Sequence, residues 1–331
     1  MADRDFSALV VRSSEPGACG VERLTLDALP EGDVLVEVAF SSVNYKDALA
    51  VTGQGKVVRR FPMVPGIDLA GTVHASSSPA FSPGQRVLVT GWGIGEEHWG
   101  GFAQMARVEA AWLTRVPPGL DLEQAMAIGT AGFTAMLAVM ALTDHGLETA
   151  SEVLVTGAGG GLGGIAVALL ASLGHRVVAV TGRPDELRDY LTALGASAVV
   201  SRAELTRASR PLESERWAGA IDAVGGSMLA TVLSQMRYGT AVAACGLAGG
   251  SRLETTVFPF ILRGIALLGI NSVFCPVARR EDAWRRLATH LPLDTLATMV
   301  RRVSLAEVIE ASDALLRGAV RGRLVVDVNG D

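Results

Sequence analysis

The sequence predicts an α/β fold in which a doubly wound parallel sheet is inserted between two parts of a β-rich domain. Short apolar strands, separated by Pro and Gly, fill the first third of the 331 residues. From Glu152 onward, strands alternate with helices, and the chain closes on one more apolar strand. Strand–helix alternation indicates parallel strands with helices on both faces of the sheet. A final strand in the style of the first third predicts that it completes the earlier sheet.

The β-rich part is indicated by its periodicity. Val34, Val36 and Val38 alternate with other residues at the period of two that marks a strand. A second strand, Val87–Thr90, follows the turn formed by residues 82–84. The tail adds a charged helix at 278–290 and a strand at 322–328. We therefore expect a discontinuous domain of residues 1–125 and 275–331.

The middle of the chain, residues 126–274, is expected to form the inserted domain. Its strands are short and rich in Val, Ile and Ala, as in sheets buried on both faces. The expected elements are the strand 153–156, the helix 162–173, the strand 176–180, the helix 184–194, and the strands 198–200, 220–224, 241–244 and 265–270.

Composition excludes several classes of protein. The formal net charge of −5 is opposite to the basic field of a nucleic-acid surface. Cys19, Cys245 and Cys275 are far apart in the chain, and their spacing does not suggest a disulfide framework, which favours a reducing compartment and a cytoplasmic location. The apolar run 125–142 has the length of a membrane span. Gly129 and other small or polar residues within it favour a buried helix instead, so no membrane partner is expected.

The strongest motif follows the strand at 153–156 and opens a helix. Gly157, Gly160 and Gly163 are spaced by three, as in a Rossmann dinucleotide loop. Glycines let a pyrophosphate approach backbone N–H groups, and the helix N-terminus adds partial positive charge. A flexible linker is the alternative, but a linker does not join a buried strand to an apolar helix. The predicted cofactor-binding residues are Gly157, Gly159, Gly160, Gly161, Leu162 and Gly163.

The end of the next strand favours NADPH over NADH. An NAD-binding domain usually places Asp or Glu there to hold the ribose 2′-hydroxyl. This sequence has Thr181, Gly182 and Arg183, so a guanidinium replaces the carboxylate. Arg183 is therefore predicted to pair with the 2′-phosphate. The alternative is a solvated charge at a helix start before Pro184.

Several segments resemble the zinc-free quinone-oxidoreductase branch of the medium-chain dehydrogenase/reductase superfamily, and in particular its acrylyl-CoA reductase group. The matching segments are 42–47, 61–71, 91–101, 127–134, 243–248 and 258–263. The resemblance implies a GroES-like catalytic domain, an inserted Rossmann domain and a homodimer. It also implies NADPH-dependent reduction of the carbon–carbon double bond of acryloyl-CoA.

No metal is expected. The resemblance places Asn44 where zinc-dependent relatives carry a ligand Cys, and Ile67-Asp68 where they carry His-Glu. Independently, the five histidines are scattered, whereas zinc needs three or four converging N or S ligands.

Tyr45 and Asn44 are the predicted catalytic residues. The resemblance places Tyr45 beside the nicotinamide, where its hydroxyl either positions the ring or donates a proton. A half-buried structural tyrosine is the alternative. Asn44 either donates to a thioester carbonyl or only caps a turn, and the sequence leaves both open. Lys46 and Asp47 are expected to form a local ion pair, and His98 is expected to be structural.

The resemblance implies further contacts to the cofactor, each with an ordinary core or surface role as the alternative. The residues concerned are Leu247, Ile261, Ser272 and Arg323. A basic cluster of Lys56, Arg59 and Arg60 is predicted to steer the phosphates of CoA, or else to be a solvated charge run. The resemblance implies that the substrate is a CoA thioester.

Two other functions remain open from the sequence. A quinone or enal reductase would share the fold and differ only in its pocket. A non-catalytic NADPH-binding protein, like the lens crystallins of this branch, would bind the cofactor without turnover.

Overall fold

The computed structural model of the chain describes residues 5–330. Within them the strands are, in chain order, β1 (Phe6–Val11), β2 (Cys19–Leu24), β3 (Val34–Val43), β4 (Asp68–Ser76), β5 (Arg86–Thr90), β6 (Met105–Val108), β7 (Thr114–Arg115), β8 (Glu152–Val155), β9 (Arg176–Thr181), β10 (Ala196–Ser201), β11 (Gly219–Asp222), β12 (Ala241–Ala244), β13 (Ala266–Gly269), β14 (Val300–Ser304) and β15 (Arg323–Asp327). The helices are α1 (Tyr45–Thr52), α2 (Leu122–Asp144), α3 (Gly161–Ser172), α4 (Pro184–Ala193), α5 (Gly226–Ser234), α6 (Phe258–Arg263), α7 (Val277–His290), α8 (Leu293–Thr298) and α9 (Val308–Leu316).

The chain divides into two units. One contains the chain up to Thr130 together with the part from Met299 onward, and the other is Ala131–Thr298. This division assigns α7 and α8 to the second unit, whereas the sequence-based bounds assign residues from 275 onward to the first domain. Those bounds stay a prediction about domains.

The second unit contains the predicted doubly wound parallel sheet. Its six strands lie in the order β10-β9-β8-β11-β12-β13, and every neighbouring pair is parallel. The strand order reverses between β8 and β11, so the crevice at their carboxyl ends is where an open α/β sheet binds its ligand. The loops after β8 and β11 therefore form the expected ligand edge.

The first unit contains a largely antiparallel sheet of the order β14-β15-β3-β4-β5-β7, with β6 also paired to β3. The final strand β15 lies against β3, with Leu324 opposite Val43, which confirms that the tail completes the first sheet. The sequence missed β14, which pairs in parallel with β15. It also missed the separate two-stranded sheet of β1 and β2.

Helix α2 contains the apolar run. It is long and apolar enough to cross a membrane by composition, but 83% of its most apolar window is buried within the protein. Its course is broken at Gly129, whose φ of 49° and ψ of −158° are not helical. Burial of this kind is typical of the core helix of a globular protein, as the sequence predicted.

Candidate functional site

The glycine loop connects β8 to α3 in the second unit. Gly157 has a φ of +63°, a backbone conformation that favours glycine, and Gly160 is the residue that precedes the helix. The first helical hydrogen bond runs from the Gly164 N–H to the Gly160 carbonyl, at 2.8 Å. The N–H groups of residues 161–163 precede this ladder and have no intrahelical acceptor. They are available to an anionic group at the helix N-terminus.

Close packing at the start of α3 requires glycine at position 163. A Cβ on Gly163 would overlap the carbonyl oxygen of Gly157, and this backbone contact can be relieved only if the loop moves. A Cβ on Gly159 would lie 2.6 Å from the end of the Leu187 side chain, which can shift to make room. The residues present fit a bound dinucleotide, because the same bare backbone lets a pyrophosphate approach closely.

The carboxyl end of β11 is organised by the buried Asp222. Its Oδ1 accepts from the Thr156 hydroxyl at 2.7 Å, and its Oδ2 accepts from the Gly225 N–H at 2.7 Å. Burial raises the pKa of Asp222, although these hydrogen bonds oppose that shift. The carboxylate thereby ties the loop after β8 to the loop after β11. The sequence missed this residue, because a lone Asp at a strand end carries no distinguishing spacing.

Thr181, Gly182 and Arg183 lie together at the end of β9. The Thr181 hydroxyl accepts from the Arg183 N–H at 3.2 Å, and the Arg183 guanidinium donates to Glu186 at 2.9 Å. A second guanidinium, that of Arg202, lies against Gly182, since a Cβ built there would be 3.0 Å from its Cζ. The strand end thus has two arginines. Sequence reasoning identified Arg183 and missed Arg202, which directly follows β10.

Three of the other cofactor contacts implied by the resemblance lie on separate segments of the second unit. Leu247 is 59% exposed after β12, and Ile261 is 67% exposed on α6. Ser272 is partly exposed and follows β13. All three follow the carboxyl ends of strands of the parallel sheet, and their contacts with the cofactor stay a prediction.

Asn44 and Arg323, in contrast, meet in a buried polar network of the first unit, with Ser42, Asp68 and Thr130. Asp68 Oδ2 accepts from the Ser42 hydroxyl at 2.6 Å and from Asn44 Nδ2 at 2.8 Å. The Thr130 hydroxyl donates to Asp68 Oδ1 at 2.5 Å. Arg323 donates from Nη1 to Asn44 Oδ1 at 3.2 Å and from Nη2 to the Ser42 hydroxyl at 2.8 Å.

This network is closed to solvent. Arg323 is 3% exposed and Asp68 is fully buried, and the Arg323 Nε also donates to the Ala127 carbonyl at 2.8 Å. Burial lowers the pKa of Arg323, and the nearby Asp68 and Asp47 carboxylates oppose that shift. Arg323 therefore contacts protein groups within the network, and its predicted contact with a cofactor stays a prediction.

Gly129 explains how the network fits beneath α2. A Cβ at this position would lie 2.6 Å from Asp68 Oδ2 and 2.7 Å from Arg323 Nη2. The break in the helix and the missing side chain together let the helix backbone approach Asp68 and Arg323. The N–H of Thr130, the next residue, donates to Asp68 Oδ2 at 2.9 Å.

Asp47 fixes the start of α1. Its Oδ2 accepts from the Asn44 N–H at 2.9 Å, which is the reciprocal half of a capping box. Its Oδ1 accepts from the N–H groups of Ile67 at 2.8 Å and Gly66 at 3.2 Å. Burial and the neighbouring Asp68 raise the pKa of Asp47 to about 7. The expected Lys46–Asp47 pair is absent, and Lys46 instead donates to Glu96 at 2.7 Å.

Tyr45 is the first residue of α1 and is 45% exposed. Its neighbour Asn44 is only 9% exposed and has all its side-chain polar atoms within hydrogen-bond distance of the network or of Asp47. The hydrogen bonds of Asn44 and Asp47 thus fix the start of α1, while the side chain of Tyr45 is partly exposed to solvent. Among residues 5–330, no hydrogen bond to the Tyr45 hydroxyl is found.

The basic cluster follows α1. Lys56, Arg59 and Arg60 are all exposed, and Arg59 lies 3.7 Å from Glu97. Within the described part of the chain, no carboxylate pairs with Lys56 or Arg60. The Nε2–H of His98 donates to the Arg107 carbonyl, 2.7 Å away, and the ring packs edge-on against Trp112. These contacts agree with the structural role expected for His98.

Known proteins match this chain in both of its units. Residues 30–118 match the family model for the alcohol dehydrogenase GroES-like domain, and residues 161–289 match that for zinc-binding dehydrogenase. The chain is 56% identical to the acrylyl-CoA reductase AcuI of Ruegeria pomeroyi, over 98% of this chain and 99% of the relative. The chain belongs to the acrylyl-CoA reductase group of the medium-chain dehydrogenase/reductase superfamily.

Solved structures agree with that assignment. The yhdH oxidoreductase of Salmonella enterica, solved in complex with NADP, is 53% identical and superposes with a TM-score of 0.95, covering 98% of this chain and all of that chain. Bacillus subtilis YhfP, named a putative quinone oxidoreductase, is 45% identical over 97% of this chain and 98% of the relative. It was solved with NAD bound and has a TM-score of 0.94.

The description of one matching family model names zinc. Among residues 5–330, no group of three or more His, Cys, Asp or Glu side chains could hold a metal ion. The resemblance aligns Asn44 with a ligand Cys of the zinc-dependent relatives, and Ile67 and Asp68 with their His-Glu. Asn44 and Asp68 are the polar residues at these positions. Both hydrogen-bond within the buried network.

Proposed function

We propose that this chain is an NADPH-dependent acrylyl-CoA reductase, which reduces the carbon–carbon double bond of acryloyl-CoA to give propionyl-CoA. The observation that carries the proposal is the 56% identity to an acrylyl-CoA reductase across 98% of the chain. An identity of this size over both units is unlike a shared fold alone, in which substrates differ widely.

The second unit supports NADPH as the cofactor. The helix N-terminus at Gly160–Gly163 offers N–H groups to a pyrophosphate. At the end of β9, Arg183 and Arg202 flank Gly182, and the strand end carries no carboxylate to repel a 2′-phosphate. Arg183 already forms an ion pair with Glu186. Arg202 has no carboxylate partner among the described residues. The two guanidinium groups are suited to charge-assisted bonds with a phosphate.

NADPH, when bound, supplies the hydride that adds to the β-carbon of the acryloyl group. As that bond forms, the π-electron pair moves towards the thioester oxygen, which becomes an enolate oxygen. The Tyr45 hydroxyl donates the proton that the α-carbon receives, and water returns a proton to the tyrosinate. At 45% exposure, the Tyr45 side chain is accessible to a bound substrate.

Asn44 acts in this scheme through Tyr45. Its amide already has partners in Asp68, Asp47 and Arg323, so the side chain has no spare donor for a thioester oxygen. Its position directly before α1 fixes the start of the helix, and with it the tyrosine. Asn44 is therefore proposed as a positioning residue, and backbone N–H groups as the donors to the enolate oxygen.

The remaining partners follow from charge and from family membership. The exposed Lys56 and Arg60 are proposed to steer the CoA phosphates.

A homodimer is proposed to form through the open edge of β13, which pairs only with β12 among the described strands. A cytoplasmic location is proposed, since Cys19, Cys245 and Cys275 are free thiols.

A quinone reductase is the second candidate, and the observation that favours it is the 45% identity to the putative quinone oxidoreductase YhfP. The two activities share the cofactor and differ in the acceptor. The acceptor therefore decides between them.

The deciding experiment measures oxidation of NADPH by the purified chain with acryloyl-CoA, crotonoyl-CoA and a benzoquinone in parallel, each repeated with NADH. We expect the highest kcat/KM with acryloyl-CoA and NADPH. A higher kcat/KM with the benzoquinone would move the chain to the second candidate. Tight NADPH binding without turnover of any acceptor would contradict both and indicate a binding protein.

A further inference from the structure

Arg280 is a buried arginine that the proposed mechanism does not use. It lies in the first turn of α7 and is 2% exposed. Its Cζ lies 4.6 Å from the centre of the Phe133 ring, and that ring stacks on Trp284, one turn further along α7, at 6.1 Å and 8°. Burying a guanidinium is costly unless its donors are satisfied, so the directions in which it donates are informative.

The Arg280 guanidinium donates to the loop that follows β13. Its Nη2 lies 3.0 Å from the Ser272 carbonyl oxygen and 3.3 Å from that of Val273. The N–H of Val273 in turn donates to Asn271 Oδ1 at 3.0 Å. The peptide unit between Ser272 and Val273 is therefore held at both ends, at its carbonyl by Arg280 and at its N–H by Asn271.

This peptide unit lies at the carboxyl end of a strand of the parallel sheet, which is the edge where such sheets bind nucleotides. The family resemblance implies that Ser272 contacts the cofactor, with its backbone meeting the nicotinamide carboxamide. A peptide unit that could rotate would offer that carboxamide a mixture of donor and acceptor orientations. Anchoring it beforehand removes the ordering cost from cofactor binding.

We infer that Arg280 is a positioning residue for the nicotinamide end of the cofactor: by holding the Ser272–Val273 peptide, it fixes the backbone groups that orient the carboxamide. Arginine is needed because its planar group stacks on Phe133 while donating to two carbonyls. The point charge of lysine does not reproduce this arrangement. The inference rests on the proposed function, since it presupposes NADPH.

The test compares two ligands that differ only at the nicotinamide. NADPH and 2′-phospho-ADP-ribose share the adenosine, the 2′-phosphate and the pyrophosphate, and the second lacks the nicotinamide ring. Dissociation constants for both are measured by calorimetry on the full chain and on the variants Arg280→Lys and Arg280→Met. Arg285→Met is the matched control, because Arg285 lies exposed on the same helix and pairs with Asp282.

We expect Arg280→Met to weaken NADPH binding about tenfold, the effect of losing a hydrogen bond from a charged donor, with 2′-phospho-ADP-ribose binding unchanged. Arg280→Lys should fall between wild type and Arg280→Met, which keeps the test usable if the methionine variant does not fold. Equal weakening of both ligands would overturn the inference, because it indicates a structural role only. Unchanged NADPH binding in both variants would overturn it as well.

The failure of the proposed function gives a different result. A wild-type chain that binds neither NADPH nor 2′-phospho-ADP-ribose would contradict the NADPH assignment, and this inference with it. That result is read from the wild type alone, whereas the inference on Arg280 is judged from the variants.

Discussion

At the scale of single residues, the buried guanidinium of Arg323 is stabilised by protein groups and not by water. A buried guanidinium and a buried carboxylate repay their desolvation only when their remaining donors and acceptors are satisfied. Asp68 receives four hydrogen bonds, from Ser42, Asn44 and, twice, Thr130. Arg323 reaches backbone carbonyls as well as Asn44. The network therefore holds Asn44, the residue that precedes α1, in one position.

Replacing Tyr45 by phenylalanine tests the proposed proton donor. The ring stays and the hydroxyl is lost, so we expect kcat with acryloyl-CoA to fall by about a hundredfold, the usual contribution of general acid catalysis. The NADPH dissociation constant should change little. Steady-state kinetics check this, with the 74% exposed Tyr238→Phe as the control. Full kcat in Tyr45→Phe would remove the tyrosine from the mechanism.

Arg202 tests the cofactor preference. Its guanidinium lies against Gly182 and has no carboxylate partner among the described residues. For Arg202→Ala we expect KM for NADPH to rise about tenfold and KM for NADH to stay the same, because only NADPH carries the 2′-phosphate. Arg188→Ala, on the exposed side of α4, is the control. Equal changes with both cofactors would exclude a contact to the phosphate.

The buried Asp47 predicts a pH dependence of stability. The aspartate of the unfolded chain has its ordinary pKa of about 3.9, whereas burial raises the pKa of Asp47 in the folded chain to about 7. Between these values the native state binds more protons than the unfolded state. This residue therefore makes the free energy of unfolding fall as the pH rises from about 4 to 7.

The measurement is urea unfolding across that pH range. Wild type should show a slope of at most about 1.4 kcal/mol per pH unit from this group, and Asp47→Asn should lose that slope. The asparagine variant also loses an acceptor, which shifts its stability at every pH but leaves the slope interpretable. The exposed Asp189→Asn should keep the slope of wild type, and a slope retained in Asp47→Asn would contradict the assignment.

At the scale of elements, function depends on how two helices begin. The start of α3 is bare backbone, because glycine at 163 allows the helix to pack against the loop at Gly157. The start of α1 is capped by Asp47, which also accepts from the loop that precedes β4. One helix start is therefore left open for a ligand, and the other is closed by a side chain and presents a tyrosine.

Gly163→Ala tests the open start. The added Cβ would overlap the Gly157 carbonyl, so the loop and α3 must separate. We expect NADPH affinity to fall by more than about tenfold and the midpoint of unfolding to drop, as is usual for overpacking. Gly20→Ala, where a Cβ meets nothing within 4 Å, should match wild type in both measurements. Wild-type NADPH affinity in Gly163→Ala would show that the loop does not hold the pyrophosphate.

At the scale of the whole molecule, the parallel sheet leaves β13 as an edge. The N–H groups of Ala266 and Ile270 donate to the Thr240 and Ala244 carbonyls on the β12 side. By alternation, the N–H groups of Leu267 and Gly269 face the open edge. An open edge beside apolar side chains such as Phe274, which is 67% exposed, is suited to pairing with a second copy.

Sedimentation equilibrium tests the homodimer. We expect wild type to sediment as a dimer and Gly269→Pro, which removes one outward N–H, to shift towards the monomer. Gly269→Ala keeps the N–H and has open space for its Cβ, so it should remain dimeric. A monomeric wild type, or a dimer unaffected by proline at this position, would exclude pairing along β13.

The sequence by itself determined what depends on local spacing. Three signals are of this kind: the alternation of β8 to β13 with helices, the glycine loop before α3, and the missing carboxylate at Thr181–Arg183. Each signal is carried by residues that are close together in the chain. Their physical requirements act along the chain, such as the period of a strand or the need for a bare helix start. The structure confirms the parallel sheet and the loop in the predicted places.

Only the tertiary structure decided which distant side chains meet. Arg323 contacts Asn44 across 279 residues, Arg202 reaches Gly182, and Arg280 reaches Ser272 from the next helix. Lys46 pairs with Glu96 and not with its neighbour Asp47. Such contacts depend on the register of β15 against β3 and on the break at Gly129, and no local periodicity encodes either. The physical reason is that a buried charge is stabilised by whichever partners packing brings within reach, and packing is a property of the whole fold.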